Sequence, residues 1–173
     1  MCSEPKNNIY RTLNEIDVSS IVYATILETP TSKLRIGQST LVGDLSEALQ
    51  EYLIDNLSWK KLSNRYTCWA VKKDVHRCSY KYGSVKAPTQ TMLPILERLS
   101  GQLGVSQGLG EEYYNSVNIN LYVDGADRCG WHADDEGLFE NPDGFSIAAV
   151  SLGATRTFEY ALFDGSQRGR IHR

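Results

Sequence analysis

Residues 115–123, NSVNINLYV, put Val117, Ile119, Leu121 and Val123 on one side of an extended chain and Asn118, Asn120 and Tyr122 on the other. Strict alternation of this kind suits a strand that is packed on one face and polar on the other, so the chain must build a sheet with one core surface and one hydrogen-bonding surface. Asp124-Gly125 follows at once and suits a tight reversal. The chain then returns through Trp131-His132-Ala133-Asp134. If that return is extended, His132 and Asp134 project from one face with their Cα atoms about 7 Å apart, and both side chains can reach a single ion through bonds of about 2 Å. An imidazole and a carboxylate are two of the three ligands of the 2-His-1-carboxylate triad that holds non-haem Fe(II). Taken alone, an H-x-D tripeptide also occurs on metal-free surface loops.

The remaining pattern supplies the partners of that strand. FSIAAVSLG and TRTFEYALF read as two further strands, with Gly153 at or near the bend between them. In GDLSEALQEYLIDNL, Leu45, Leu49, Tyr52, Leu53 and Leu57 recur at helical spacing, and Asp44 with Glu47 resembles a capping box. A second helix is expected in TMLPILERLSGQLG, capped by Thr91, with Pro94 in its first turn, Gly104 at its end and Leu96, Leu99 and Leu103 as its buried stripe. Residues 1–35 lack a strong period; with turn residues at TPTSK, they read as an extension or an ill-defined strand pair. The simplest architecture is α+β, a twisted antiparallel sandwich with two helices against it.

Composition narrows the functional classes. A chain of 173 residues forms one domain, and a charged fraction of 23% with net charge −3 excludes a generally basic nucleic-acid binder. Any nucleic-acid contact must come from a local patch, and the dense candidate is LSWKKLSNRYTCWAVKKDVHRCSYKYGSV, where aromatics alternate with Arg65, Lys72, Lys73, Arg77, Lys81 and Lys86. A solvated strand-rich face is the other reading of that segment. No apolar run is long enough for a membrane span or a secretory signal, so an intracellular protein, nuclear or cytoplasmic, is expected. Cys2, Cys68, Cys78 and Cys129 are scattered and read as free thiols.

In order along the chain, Asn120-Leu121-Tyr122, Gly125-Ala126-Asp127, His132-Ala133-Asp134-Asp135-Glu136 and Ser151-Leu152-Gly153-Ala154-Thr155-Arg156-Thr157-Phe158 resemble the motifs of the AlkB family of Fe(II)- and 2-oxoglutarate-dependent dioxygenases. Upstream, Arg77, Tyr82-Gly83 and the helix after Pro88 match that family more loosely. The resemblance implies a double-stranded β-helix, or jelly roll, with the two helices packed on it, over residues 36–173. It further implies oxidative dealkylation of N-alkylated DNA or RNA bases by a monomeric protein, using Fe(II) and 2-oxoglutarate. By the same resemblance, His132 and Asp134 hold the iron, and Asn120 and Tyr122 bind 2-oxoglutarate. Asp135 and Glu136 become candidate acids of the base pocket, and Arg77, Tyr80 and Tyr82 candidate nucleic-acid contacts. Arg156 becomes a candidate partner for Asp134 or another acid near the iron, and Trp131 is expected to pack inside the barrel.

The family carries a second iron histidine and an arginine-bearing run beyond the point where this sequence stops, which reads as an incomplete barrel, a fragment or an impaired form. His172 lies in GSQRGRIHR, read as a polar tail, and His76 in the basic segment; neither is assigned to metal. Two other functions compete with the dioxygenase. One is a catalytically inactive nucleic-acid-binding module, and the other is a hydrolytic magnesium or manganese site on Asp134, Asp135 and Glu136.

Overall fold

In a computed structural model, residues 13–37, 43–74, 80–82, 85–87, 89–134, 144–162 and 165–172 are described. The strands are β1 (Tyr23–Glu28), β2 (Lys33–Gly37), β3 (Lys60–Lys61), β4 (Tyr66–Val71), β5 (Tyr80–Tyr82), β6 (Val85–Ala87), β7 (Thr89–Thr91), β8 (Ser116–Leu121), β9 (Thr157–Ala161) and β10 (Arg168–His172). The helices are α1 (Asp44–Asn56) and α2 (Pro94–Ser106).

β4 organises the sheet. It pairs antiparallel with β8 along one edge, while its other edge is shared by β3, antiparallel, and β7, parallel. β1 with β2, β5 with β6 and β9 with β10 form separate antiparallel hairpins. The described strands do not close into a barrel.

The alternation read in residues 115–123 holds over residues 116–121 and determines which face is buried there, whereas Val123, expected on the packed side, lies beyond the end of β8 and is 65% exposed. The register sets Cys68 opposite Ile119 and Ala70 opposite Val117, so these four share one surface. That surface packs on Leu49, Leu53 and Leu57 at α1 and on Ile95, Leu96 and Leu99 of α2. Burial pushes the Cys68 thiol up to about 12, so it stays a neutral apolar filler. Thr67 opposite Asn120 and Trp69 opposite Asn118 occupy the reverse surface. The expectation of two helices on a half-polar sheet therefore holds.

Several local expectations do not. Helix α1 has no side-chain cap: its N-cap is Gly43, at φ 54°, and Asp44 falls one position inside the helix. The left-handed glycine supplies the entry turn, and its carbonyl accepts from Ser46 and Glu47, leaving no role for a capping box. Thr91 belongs to β7 rather than capping α2, whose N-cap is Leu93. Gly104 does not end α2 but lies buried within it, because the chain after the helix folds back across it. A Cβ there would come within 2.1 Å of the Gly110 carbonyl oxygen. Gly104→Ala is therefore expected to cost roughly 1–3 kcal/mol in urea unfolding, although alanine is the better helix former. A stabilised variant would contradict that close approach.

Residues 145–153, FSIAAVSLG, are expected to form a strand, but among the described residues they join no ladder. They are held instead by side chains: the Ser146 amide donates to the Tyr113 hydroxyl at 2.8 Å, and the Ser146 hydroxyl lies 3.1 Å from that of Tyr114. Gly153 does bend the chain, at φ 79°. GSQRGRIHR is no polar tail, since residues 168–172 pair with β9 and set His172 opposite Thr157. A strand of alternating charge can be held entirely by its neighbour's backbone, which its own sequence does not show. Within the N-terminal stretch, β1 and β2 form a hairpin across the expected turn, and Leu13, Ile16 and Val18 are buried in the core.

Candidate metal centre

The polar end of β8 and the turn that follows build the site. Asp124 Oδ1 accepts from the amides of Ala126 and Asp127, which curls the turn and holds the Asp124 carboxyl below its ordinary range. Asp127 is buried, and its Oδ2 accepts from the Val123 amide at 2.8 Å. The Arg128 amide donates to the Asn64 carbonyl at 2.9 Å, tying the outgoing chain to the segment before β4.

Residues 128–134 are not part of a ladder, yet His132 and Asp134 converge. His132 Nε2 lies 3.7 Å from Asp134 Oδ1, and each side chain is 37% exposed. His132 Nδ1 lies 2.8 Å from the Gly130 carbonyl oxygen. A carbonyl only accepts, so Nδ1 is the donor in this contact and Nε2 is the nitrogen that faces the carboxylate. At 3.7 Å, the two atoms can both be reached by bonds of about 2 Å from one ion. The donor pair thus fits a divalent metal. Among the described residues no third histidine, cysteine, aspartate or glutamate joins it.

The two candidate cosubstrate residues lie at the end of β8 and just beyond it. Asn120 Oδ1 accepts from Arg65 Nε at 2.8 Å. Tyr122 is half-buried; burial, with Cys129 adding to it, raises its phenol above the usual range, against the opposing guanidiniums of Arg65 and Arg156. The phenol therefore stays protonated as a hydrogen-bonding group. It also contacts Cys129, whose Sγ lies 3.7 Å from His132 Nδ1, so one side chain links Tyr122 to the histidine.

Arg156 does not bond Asp134. Its guanidinium donates to the carbonyls of Asp124 and Asp127 and sits 5.5 Å from the Tyr122 ring centroid, so it braces the turn and the tyrosine. Trp131, expected inside the barrel, is 67% exposed. Arg65, counted from the sequence with the basic patch, is only 5% exposed and faces Asn120. Lys72 is committed to Glu112 at 2.8 Å and Lys61 to the Tyr66 ring, so the basic segment is not one continuous solvated face. Asp135, Glu136 and Arg77 lie outside the described residues; Tyr80 and Tyr82 begin and end β5. Arg65 and Cys129 are the neighbours of these residues that sequence reasoning did not place at the site. Only the N-R-Y order at 64–66, placing an arginine next to a strand start, hinted at the first.

A histidine and a carboxylate within reach of one ion are two of the three protein donors that a mononuclear non-haem iron oxygenase uses. The family model described as the 2OG-Fe(II) oxygenase superfamily matches residues 35–172. The chain is 35% identical over 82 residues to the human protein named DNA oxidative demethylase ALKBH2, covering 47% of this chain and 30% of that one. It is 33% identical over 130 residues to the rat alpha-ketoglutarate-dependent dioxygenase alkB homolog 3, covering 67% of this chain and 40% of the relative. The chain belongs to the 2OG-Fe(II) oxygenase superfamily, in its AlkB branch. It spans well under half the length of these relatives. Membership implies Fe(II) and 2-oxoglutarate as the cofactors.

Proposed function

We propose that this chain carries the iron and cosubstrate half-site of a jelly-roll dioxygenase that removes alkyl groups from bases of DNA or RNA. The observation that carries the reading is the His132–Asp134 pair, 3.7 Å apart, with Nε2 turned toward the carboxylate. The relatives' names, a DNA oxidative demethylase and an alpha-ketoglutarate-dependent dioxygenase, supply the reaction class.

When bound, Fe(II) with 2-oxoglutarate and oxygen supplies hydroxylation of the N-alkyl carbon, after which the alkyl group leaves as an aldehyde. The chain's own residues perform binding and orientation. Gly130 holds the His132 tautomer, His132 and Asp134 supply two metal donors, and Asn120 and Tyr122 offer hydrogen-bonding groups to the dicarboxylate. Asp135 and Glu136, directly after the ligands, are the proposed pocket acids for a cationic alkylated base, which must leave its stack to react. Arg77, Tyr80 and Tyr82 are the proposed contacts to the nucleic acid. The exposed Trp131 next to His132 adds an aromatic surface on which a base can stack.

Asn120→Ala and Tyr122→Phe test the cosubstrate assignment. Each removes one hydrogen-bonding group, so the 2-oxoglutarate concentration needed for half-maximal aldehyde release should rise about tenfold or more, with the maximal rate little changed. An unaltered requirement in both variants would remove these residues from the cosubstrate site.

A further inference from the structure

We infer that Arg65 is a positioning residue for the cosubstrate dicarboxylate, acting by holding the Asn120 amide in the orientation that presents its NH2 group. The inference rests on the proposed cosubstrate role of Asn120 and adds a residue from a different part of the chain.

An asparagine side chain has two ends of opposite character, and rotation by half a turn exchanges an acceptor for a donor pair. A carboxylate needs donors. Arg65 Nε donates to Asn120 Oδ1 at 2.8 Å, which occupies the acceptor end and directs the Nδ2 donors away from the guanidinium. The reverse orientation would set an NH2 against a guanidinium, two donors facing each other.

The sheet holds Arg65 in place to do this. The β4–β8 register sets Tyr66 opposite Leu121 and Thr67 opposite Asn120. Continued one residue past the ladder, it sets Arg65 opposite Tyr122, the second proposed cosubstrate residue. The Arg65 carbonyl accepts from the Leu62 amide at 2.8 Å, fixing its backbone, and at 5% exposure its side chain has little room to move. The buried guanidinium beside Asn120 also lowers the cost of an anion on this face. Lysine would keep the charge but replace the planar Nε–H with a rotatable ammonium.

The test measures 2-oxoglutarate binding by calorimetry to the full chain loaded with Mn(II) in place of Fe(II), for the unmodified protein, Arg65→Met, Arg65→Lys, Asn120→Ala and the Arg65→Met/Asn120→Ala double variant. Arg65→Met is expected to raise the dissociation constant roughly 10- to 100-fold. Arg65→Lys should raise it about tenfold, and keeps the question answerable if the methionine variant does not fold. In the Asn120→Ala background, Arg65→Met should add less than about threefold, because the two residues act as a unit. As a readout independent of binding, the Asn120 side-chain NH2 resonances, identified by their loss in Asn120→Ala, should shift in both Arg65 variants of the ligand-free chain. Equal weakening in both backgrounds, or affinity within twofold of the unmodified chain in both Arg65 variants, overturns the inference while leaving the cosubstrate site intact. No binding by the unmodified chain overturns the cosubstrate reading itself, and this inference with it.

Discussion

His132→Ala and Asp134→Ala are each expected to weaken Mn(II) binding beyond detection in the same titration and, on the proposed function, to abolish aldehyde release from alkylated nucleic acid. Each variant removes one of two donors that stand 3.7 Å apart, and one remaining donor gives little more than the affinity of an isolated side chain for a labile divalent ion. Neither change should damage the fold. Both side chains are substantially exposed, and surface substitutions typically move stability by no more than about 0.5 kcal/mol, so thermal unfolding should stay within a few degrees. The combination of lost metal and retained melting distinguishes a ligand from a structural residue. Retention of Mn(II) affinity in either variant would withdraw that residue from the metal site.

Leu49→Ala is expected to produce the largest loss of stability from a single truncation in α1. Leu49 is 1% exposed and belongs to the cluster formed by Leu53, Leu57, Cys68, Ala70 and the leucines of α2, so the cavity it leaves is bounded by packed groups on several elements. Large-to-small changes at such positions cost about 2–5 kcal/mol, which for a chain of this size lowers Tm by roughly 6–15 °C. Leu49→Met, which nearly conserves volume, should cost less than about 1.5 kcal/mol. If alanine cost no more than methionine, α1 would not be seated on the sheet at this residue.

Much of this arrangement was legible in the sequence wherever a single periodicity decided the outcome. The two-residue alternation in β8 correctly divided Val117 and Ile119 from Asn118 and Asn120, because a strand's side chains must point to opposite faces whatever lies beside it. The 3.6-residue stripe of α1 identified Leu49 and Leu53 for a similar reason. Helix ends were less legible. Gly43 adopts a left-handed entry that displaces Asp44 from the cap, and Gly104 is required inside α2 only because a later loop crosses it.

The site divides along the same line. Spacing alone allowed His132 and Asp134 to share an ion, since two residues two apart can always be brought within reach of one point. Whether they converge outside a strand, and which imidazole nitrogen faces the carboxylate, depended on the Gly130 carbonyl and the Asp124–Asp127 turn. Arg156 could be matched to a motif but not to its contacts, which are backbone carbonyls of that turn rather than Asp134.

By itself, the sequence determined the half-polar strand, the two apolar helix stripes and the types of donor near residue 132, because these follow from local period and from side-chain chemistry that no neighbour alters. Only the tertiary structure decided that Arg65 is buried against Asn120, that Trp131 faces solvent, that residues 168–172 pair as a strand and that Cys129 stands between Tyr122 and His132. Each of these depends on contacts between groups whose registry is set when strands pair and turns close, and hydrogen bonds, unlike hydrophobic period, specify a partner only once that partner has been brought within about 3 Å.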